Sequence, residues 1–187
     1  MYTSSWEPSF DYEELQRLLS TQQWQAADRA TLKLMWLLSS SDKSWDMSLS
    51  EKVIDNISCE DLCKIEQLWL QHSSGHFGFS SQLKIYKQCQ GDWDAFGSAV
   101  GWRVSENFET EAKWIWNYPN YVNYYHSADW YDRLIFNLSA PVGHLPILVD
   151  RLWLEFDLIN MDLFIPYDIN VTCGRCLFSR LETCCIK

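Results

Sequence analysis

The chain has 187 residues and a mass of 22.1 kDa, which predicts a single domain over residues 1–187 with an ordinary buried core. A hydrophobic fraction of 47% and a charged fraction of 21% exclude wholesale disorder. The formal net charge is −10 and no run of lysine or arginine occurs, so we expect no nucleic-acid partner and at most peripheral membrane contact. No apolar run approaches the roughly 20 residues that cross a bilayer, and the first residues lack the pattern of a secretory signal or a transit peptide.

The first hundred residues predict a series of short helices that form a helical core over about residues 10–102. Asp11 and Glu14 mark a capping-box-like start, and apolar residues at helical spacing predict the next helix over Gln23–Leu38. Further helices are predicted after the capping boxes Ser48-x-x-Glu51 and Ser58-x-x-Asp61, and over Gln82–Cys89 and Asp92–Val100.

Aromatic residues are unusually abundant, with 11 Trp, nine Tyr and nine Phe. A core of this size does not need so many indole rings, so we predict that the surplus faces something flat. The densest group lies between Asn107 and Phe136, where ten aromatic residues keep neither a helical nor a strand period and Pro119 interrupts any regular element. Such a stretch is functional rather than disordered. We therefore predict a structured, partly mobile lid loop over a ligand groove, at about residues 103–146.

The C-terminal segment, residues 147–187, is less distinct. Leu152–Ile165 is apolar enough for a buried helix or for a strand, and both alternatives stay open. The apolar residues of Cys176–Ile186 recur at helical spacing and predict a helix.

The seven cysteines cannot all be paired, and without an export signal we predict a reducing compartment and free thiols. Three of them are predicted to be small buried hydrophobes: Cys59, Cys63 and Cys89. Zinc binding is an alternative for the four cysteines nearest the C-terminus, Cys173, Cys176, Cys184 and Cys185, and a redox pair is an alternative for Cys173-x-x-Cys176. Adjacent cysteines suit a tetrahedral site poorly, so incidental thiols and no metal site are favoured.

Catalytic motifs are missing from the sequence: it contains no G-x-S-x-G, P-loop or G-x-G-x-x-G, and its four histidines are dispersed. We therefore predict that the chain is not an enzyme. Two other segments are more informative. In Ser73–Ser80, two glycines alternate with Phe77 and Phe79, which suits either a tight turn with rings in the core or a close approach of backbone to a ligand. Leu138–Pro146 closes the long loop, and its His144 is either a structural histidine or a ligand contact.

These segments together resemble one family, the Genomes-uncoupled-four type (GUN-four) tetrapyrrole-binding regulators of magnesium chelatase. The matches cover nearly the whole chain in family order. They are Asp11-Tyr12-x-x-Leu15, Trp24-x-x-Ala27-Asp28-x-x-Thr31, Cys59-x-Asp61-Leu62-x-x-Ile65-Glu66-x-Leu68-Trp69, Ser74-Gly75-x-Phe77-Gly78-Phe79-Ser80-x-Gln82, Val100-Gly101-Trp102-Arg103, Leu138-Ser-Ala-Pro-x-Gly-His-Leu-Pro146 and Phe178-Ser-Arg-Leu-Glu-Thr-Cys184. The Gly-Phe-Gly-Phe-Ser and Gly-His-Leu-Pro blocks are specific in combination.

The resemblance implies an all-α fold, a small compact helical bundle likened to a cupped hand. It implies a non-catalytic role in chlorophyll biosynthesis in a photosynthetic organism. The implied ligand is protoporphyrin IX or its magnesium complex, and the implied partner is the large, porphyrin-binding subunit of magnesium chelatase, which the protein stimulates or supplies. The implied location is the cytoplasm of a cyanobacterium or the plastid stroma, with thylakoid association as a further alternative.

A porphyrin is a flat apolar disc with two carboxylates on one edge, so we expect aromatic and aliphatic walls and a few cations at the rim. The candidate binding residues are Phe77, Phe79, Trp102, Arg103, Trp114, Trp116, Tyr124, Tyr125, Leu138, Ala140, Pro141, His144, Leu145 and Arg151. Lys113 and Arg133 are further candidates for pairing the carboxylates.

Two departures from the family pattern keep alternatives open. The long loop exceeds the expected length, and Arg151 is the one arginine that follows Gly-His-Leu-Pro closely. These changes favour, as a second hypothesis, a divergent paralogue that holds a linear bilin as a photoreceptor or chromophore carrier. A third hypothesis is a helical interaction adaptor whose aromatic residues cover a protein partner.

Overall fold

Helices dominate the part of the chain that the computed structural model describes, which comprises residues 12–39, 51–104, 113–114, 131, 134–147 and 171–186. In chain order these ranges contain α1 (Tyr12–Ser20), α2 (Trp24–Leu38), α3 (Glu51–Asn56), α4 (Cys59–Ser73), α5 (Phe79–Gln88), α6 (Trp93–Ala99) and α7 (Val171–Cys184). One short antiparallel pairing joins β1 (Arg103–Val104) to β2 (Lys113–Trp114). The predicted all-α fold class is confirmed.

Local capping explains several helix starts. The Asp61 N–H donates to Ser58 Oγ at 3.1 Å, which confirms the predicted capping box at the start of α4. The Ala95 N–H donates to Asp92 Oδ1 at 3.0 Å and fixes the start of α6. Both caps satisfy amide groups that have no partner within their own helix, so the sequence sets these boundaries locally.

Two helices begin earlier than predicted. The α5 helix begins at Phe79 rather than Gln82, because a carboxylate from α4 accepts hydrogen bonds from its first amides. The α7 helix begins at Val171 rather than Cys176. A Cβ at Gly174 would clash with a ring carbon of Trp93, so the glycine that weakens the helical pattern is required for close packing.

The core contains two aromatic clusters among many aliphatic side chains. In the first, Trp24, Trp69 and Phe77 have ring centroids 5.2–6.3 Å apart, and Trp69 Nε1 donates to Thr31 Oγ1 at 2.9 Å. The second cluster joins α5, α6, α7 and the residues after α6; its members are Tyr86, Trp93, Phe96, Trp102 and Phe178. Edge-to-face pairs of this kind stabilise a core beyond the area that they bury.

Four cysteines contradict the prediction of free thiols, because two disulfides, Cys59–Cys184 and Cys63–Cys185, connect α4 to the end of α7. Cys59 and Cys63 lie one turn apart on the same face of α4, so both can reach the consecutive residues Cys184 and Cys185 at the end of α7. Their Cα separations of 5.1 and 5.4 Å suit a disulfide. Among the described cysteines Cys89 and Cys176 are free. The zinc alternative loses two of its four thiols to these bridges, and the described residues contain no cluster arranged to hold a metal ion.

Candidate ligand-binding site

Residues 134–147, which we name the anchored segment, lie against α5 and the turn between α4 and α5. The Gly78 N–H donates to the carbonyl of Leu145 at 2.9 Å, and the Gly143 N–H donates to the carbonyl of His76 at 2.8 Å. Gln82 Nε2 donates to the carbonyl of Pro146 at 2.6 Å. The glycine-containing segment Ser73–Ser80 therefore binds the segment Leu138–Pro146 through backbone groups.

Three side chains of the anchored segment leave large apolar surfaces exposed. Ile135 is 41% exposed, Leu138 45% and Val142 47%, and we name these three the apolar rim. Two apolar residues later in the segment, Leu145 and Ile147, are fully buried. Exposed apolar side chains on a segment that backbone hydrogen bonds hold in place are candidates for contact with an apolar ligand.

His144 fastens the anchored segment from within. Its Nδ1 lies 2.7 Å from the carbonyl of Val100 and its Nε2 accepts the Ile135 N–H at 3.1 Å, so the ring is neutral and protonated at Nδ1. Burial lowers the pKa of His144, although the Val100 carbonyl opposes this shift. The carbonyl of His144 in turn accepts the indole N–H of Trp102 at 2.9 Å. Both ring nitrogens and the carbonyl oxygen of His144 therefore have partners within the protein.

We expect His144→Ala to lower the free energy of unfolding by about 2 kcal/mol at pH 8, because two hydrogen bonds in a buried site are lost. The folded-state pKa lies below the ordinary value of 6.5, so this stability is present above about pH 6.5 and is lost as the pH falls. Urea unfolding between pH 5.5 and 8 measures the effect. His72→Ala is the control, since the buried Nε2 of His72 has no partner. Equal losses for both variants at every pH would contradict the assignment.

Asp28 connects α2 to Tyr131 and to Ile147, the last residue of the anchored segment. The carboxylate is fully buried; its Oδ2 accepts the Tyr131 hydroxyl at 2.7 Å and its Oδ1 accepts the Ile147 N–H at 2.7 Å. Burial raises the pKa of Asp28 to about 7, against the effect of these hydrogen bonds and of Arg29. The Arg29 guanidinium lies 5.1 Å from the centroid of the Tyr131 ring. Asp28 therefore fixes where residues 131 and 147 lie on the helical core.

The structure places the predicted site residues in three groups. Six are buried, and their contribution to ligand binding stays a prediction: Phe77, Phe79, Trp102, Ala140, His144 and Leu145. Leu138 is exposed, Pro141 is half-buried, and Arg103 Nη1 lies 3.4 Å from Asp94 Oδ2. The remaining side chains lie outside the described residues: Lys113, Trp114, Trp116, Tyr124, Tyr125, Arg133 and Arg151. The same holds for most of the predicted lid loop and for Leu152–Ile165.

Sequence reasoning did not select Asp28, Ile135 or Val142. Asp28 had a usable signal, because it interrupts the apolar face that Ala27 and Leu34 define on α2, and a buried aspartate needs partners. Ile135 and Val142 had none, since an aliphatic residue in a segment without helical or strand periodicity does not indicate which way its side chain points.

Comparisons with known proteins add independent evidence. A family model described as GUN4-like matches residues 5–155. The chloroplastic tetrapyrrole-binding protein of Arabidopsis thaliana is 32% identical over 138 residues, which cover 73% of this chain and 48% of that protein. The ycf53 protein of Porphyra purpurea is 31% identical over 140 residues, which cover 73% of this chain and 50% of that protein. The chain thus spans about half the length of these relatives.

Solved structures agree on the fold. The ligand-free structure of Arabidopsis thaliana GUN4 superposes with a TM-score of 0.63 at 23% identity, covering 92% of this chain and 94% of that one. The structure of GUN4 from Chlamydomonas reinhardtii gives a TM-score of 0.60 at 20% identity, with 96% and 92% covered. Among the helices in the described ranges, none has the length and apolar character needed to cross a membrane.

Proposed function

Because the chain belongs to the GUN4-like family, we propose that it is a non-catalytic regulatory protein that binds a tetrapyrrole. The observation that supports this most directly is the apolar rim, Ile135, Leu138 and Val142, on a segment that backbone hydrogen bonds hold in place. A pre-formed apolar surface binds a rigid flat ligand with little loss of conformational entropy. The name of the Arabidopsis thaliana relative supports the same ligand class.

We extend the proposal to the ligand and to the partner. The ligand is protoporphyrin IX or magnesium protoporphyrin IX, and the protein acts with the large subunit of magnesium chelatase in chlorophyll biosynthesis. Relatives in a red alga, in a cyanobacterium and in an Arabidopsis thaliana chloroplast support a plastid stromal or cyanobacterial cytoplasmic location. Residues 1–187 act as one ligand-binding domain in this proposal.

Affinity in this proposal comes mainly from burying the ring. Each rim side chain that is covered by ligand contributes roughly 1 kcal/mol through apolar burial. Four cations are proposed to pair with a ligand carboxylate, and Arg103 is the one whose side chain the structure describes. It already lies near Asp94. An exposed ion pair contributes only about 0–1 kcal/mol, so the rim side chains outweigh it.

The test is a titration of the protein with protoporphyrin IX, magnesium protoporphyrin IX and, for comparison, the linear tetrapyrrole biliverdin. Quenching of tryptophan fluorescence reports binding. We expect Leu138→Ser and Val142→Ser each to weaken porphyrin binding by about fivefold to tenfold, because the lost burial amounts to about 1 kcal/mol. Both side chains are largely exposed, so stability is expected to change by less than about 0.5 kcal/mol.

Ile186→Ser is the matched control, because Ile186 is 44% exposed but follows α7, outside the anchored segment. It is expected to leave the dissociation constant unchanged. Absence of saturable quenching by any of the three ligands would refute tetrapyrrole binding. Equal weakening by the control and by the two rim variants would refute the location of the site.

A further inference from the structure

Two disulfides meet at one place on the surface. Cys59 and Cys63 lie one turn apart at the beginning of α4, and Cys184 and Cys185 are consecutive residues at the end of α7. The Cα atoms within each bridge are 5.1 and 5.4 Å apart. Four sulfur atoms are therefore gathered where the first turn of one helix meets the last turn of another.

Chain stability explains one bridge but not both. The bridged residues are 125 and 122 positions apart, and closing so long a loop restricts the unfolded chain strongly. Once either bridge has formed, the other closes only a short loop. That loop consists of the residues from Cys59 to Cys63 and the adjacent Cys184 and Cys185. The second bridge therefore adds much less restriction than the first, and its presence calls for another explanation.

The bridges are also accessible. Cys59 is an exposed residue, and Cys63, Cys184 and Cys185 are each partly exposed. An incoming thiolate must reach a sulfur atom along the S–S axis, so exposure is the first condition for exchange. We propose that the Cys59–Cys184 and Cys63–Cys185 bridges form a reversible thiol–disulfide exchange site, which a dithiol reductant of the C-x-x-C class opens and which controls the end of α7.

The exchange step begins at Cys184. A thiolate of the reductant attacks Cys184 Sγ, the bond to Cys59 breaks, and Cys59 leaves as a thiolate that takes a proton from water. The second thiol of the reductant, after losing its proton, attacks its own mixed disulfide and releases Cys184, which is protonated in turn. Two electrons and two protons thus pass to the cysteine pair while the dithiol becomes a disulfide. A second equivalent of reductant reduces Cys63–Cys185 in the same way.

The local charges favour Cys59 as the leaving sulfur. Cys59 is the first residue of α4, a helix of 15 residues, and the N-terminal end of a helix stabilises a thiolate. Glu60 and Asp61 act in the opposite direction; Glu60 is exposed to solvent, which screens its charge, and Asp61 accepts hydrogen bonds from Tyr12 and from Ser58 Oγ, which disperse its charge. Cys59–Cys184 is therefore expected to open before Cys63–Cys185.

Within the described ranges, few contacts other than the bridges and the packing of Cys185 against the core hold the last turn of α7. Glu182 pairs with Lys87 through side chains that are 47% and 58% exposed, so this pair contributes little. Arg180 donates to the carbonyl of Ile57, and Leu181 is fully buried. Reduction is therefore expected to release the residues after Leu181 and to leave the buried part of α7 in place.

The test incubates the oxidised full chain with thioredoxin, thioredoxin reductase and NADPH, then traps thiols by alkylation and identifies them by mass spectrometry. We expect both bridges to open, Cys59–Cys184 first, and amide hydrogen exchange after Leu181 to rise by about tenfold while that of α2 is unchanged. Persistence of both bridges with excess reductant, opening of Cys63–Cys185 first, or unchanged exchange after reduction would each overturn the proposal.

Paired variants separate a redox function from a purely structural one. C59S/C184S and C63S/C185S each keep one bridge, and both are expected to protect the end of α7 when oxidised and to lose that protection when reduced. C89S/C176S removes the described free cysteines and is expected to behave as the unmodified chain. Burial, the Glu51 side chain and Asp55 raise the pKa of Cys176, so its thiol is a poor competitor in exchange. Loss of α7 protection in either single-bridge variant while oxidised would overturn the proposal that each bridge controls the end of α7.

Discussion

Asp28→Ala is expected to lower the free energy of unfolding by about 4 kcal/mol at pH 5.5, whereas Asp28→Asn is expected to change it by less than about 1 kcal/mol at pH 8. Alanine leaves the Tyr131 hydroxyl and the buried Ile147 N–H without their acceptor. Asparagine keeps an acceptor for Ile147 and donates to the Tyr131 oxygen. The hydroxyl then turns toward the carbonyl of Gln25, which lies 3.4 Å away.

The pH dependence distinguishes these variants further. The folded-state pKa of Asp28 is about 7 and its ordinary value is 3.8, so the folded chain binds the proton more tightly than the unfolded chain. The corresponding stability is fully present below about pH 4 and is lost as the pH rises to about 7. Between pH 5.5 and 7 the loss is about 2 kcal/mol in the unsubstituted chain. Asp28→Asn removes this dependence because it does not titrate.

Urea unfolding at several pH values from 5.5 to 8 measures both effects. This range avoids the pI near 4.7, where the solubility of the protein is lowest. The difference in unfolding free energy between the unsubstituted chain and Asp28→Asn isolates the contribution of Asp28. The contribution of His144 changes with pH in the opposite direction. Glu13→Gln, at an exposed position of α1, is the control for loss of a carboxylate. Parallel pH profiles for Asp28→Asn and the unsubstituted chain would contradict the assignment.

The helix starts illustrate what the sequence determines alone. Ser58 and Asp92 cap amides three residues later, so the pattern that predicts those boundaries lies within a few residues. The start of α5 depends on Glu66, which is 13 residues from Phe79, and no local pattern contains that contact. Boundaries set by distant side chains become predictable only when the packing of the helices is known.

The prediction for the cysteines is wrong for a related reason, and composition alone left the orientation of the aromatic residues open. Whether Cys59 and Cys63 are buried hydrophobes or bridge partners depends on where the end of α7 lies, 122 or more positions away. Phe77 and Trp102 suit a ligand wall by composition, yet both are fully buried in the aromatic clusters. The family resemblance gave the fold, whereas composition did not indicate which rings face outward.

Glu66→Ala is expected to lower the free energy of unfolding by about 3 kcal/mol at pH 5.5, because the carboxylate caps α5 from inside the core. Its Oε2 accepts the Phe79 N–H at 2.7 Å and its Oε1 accepts the Ser80 N–H at 2.9 Å. Glu66 is 2% exposed, so water does not replace the lost oxygens, and each buried amide left without a partner costs about 1–3 kcal/mol. Gln67→Ala, at an exposed position of α4, is the control.

Glu66→Gln is expected to cost about half as much, since the amide keeps one acceptor oxygen and presents an NH₂ group to the other N–H. Burial raises the pKa of Glu66, against the hydrogen bonds from Ser80 and Phe79. The stability that Glu66 contributes is therefore present below its ordinary pKa of 4.5 and declines as the pH rises through the raised value. The difference between the unsubstituted chain and either variant should thus be smaller at pH 8 than at pH 4.5; a larger difference at pH 8 would mean that the folded protein favours the ionised carboxylate.

The same substitution tests how the candidate site is supported. Gly78 precedes Phe79, has φ = +121° and donates its N–H to Leu145 of the anchored segment, so the cap on α5 and the position of that segment share one turn. A Cβ at Gly78 would lie 3.2 Å from Glu66 Oε1, which leaves little room for the turn to move while the carboxylate is present. Glu66→Ala is therefore expected to weaken porphyrin binding by about threefold to tenfold, although Glu66 is buried away from the apolar rim. Affinity unchanged in a folded Glu66→Ala protein would show that the rim keeps its position without this turn.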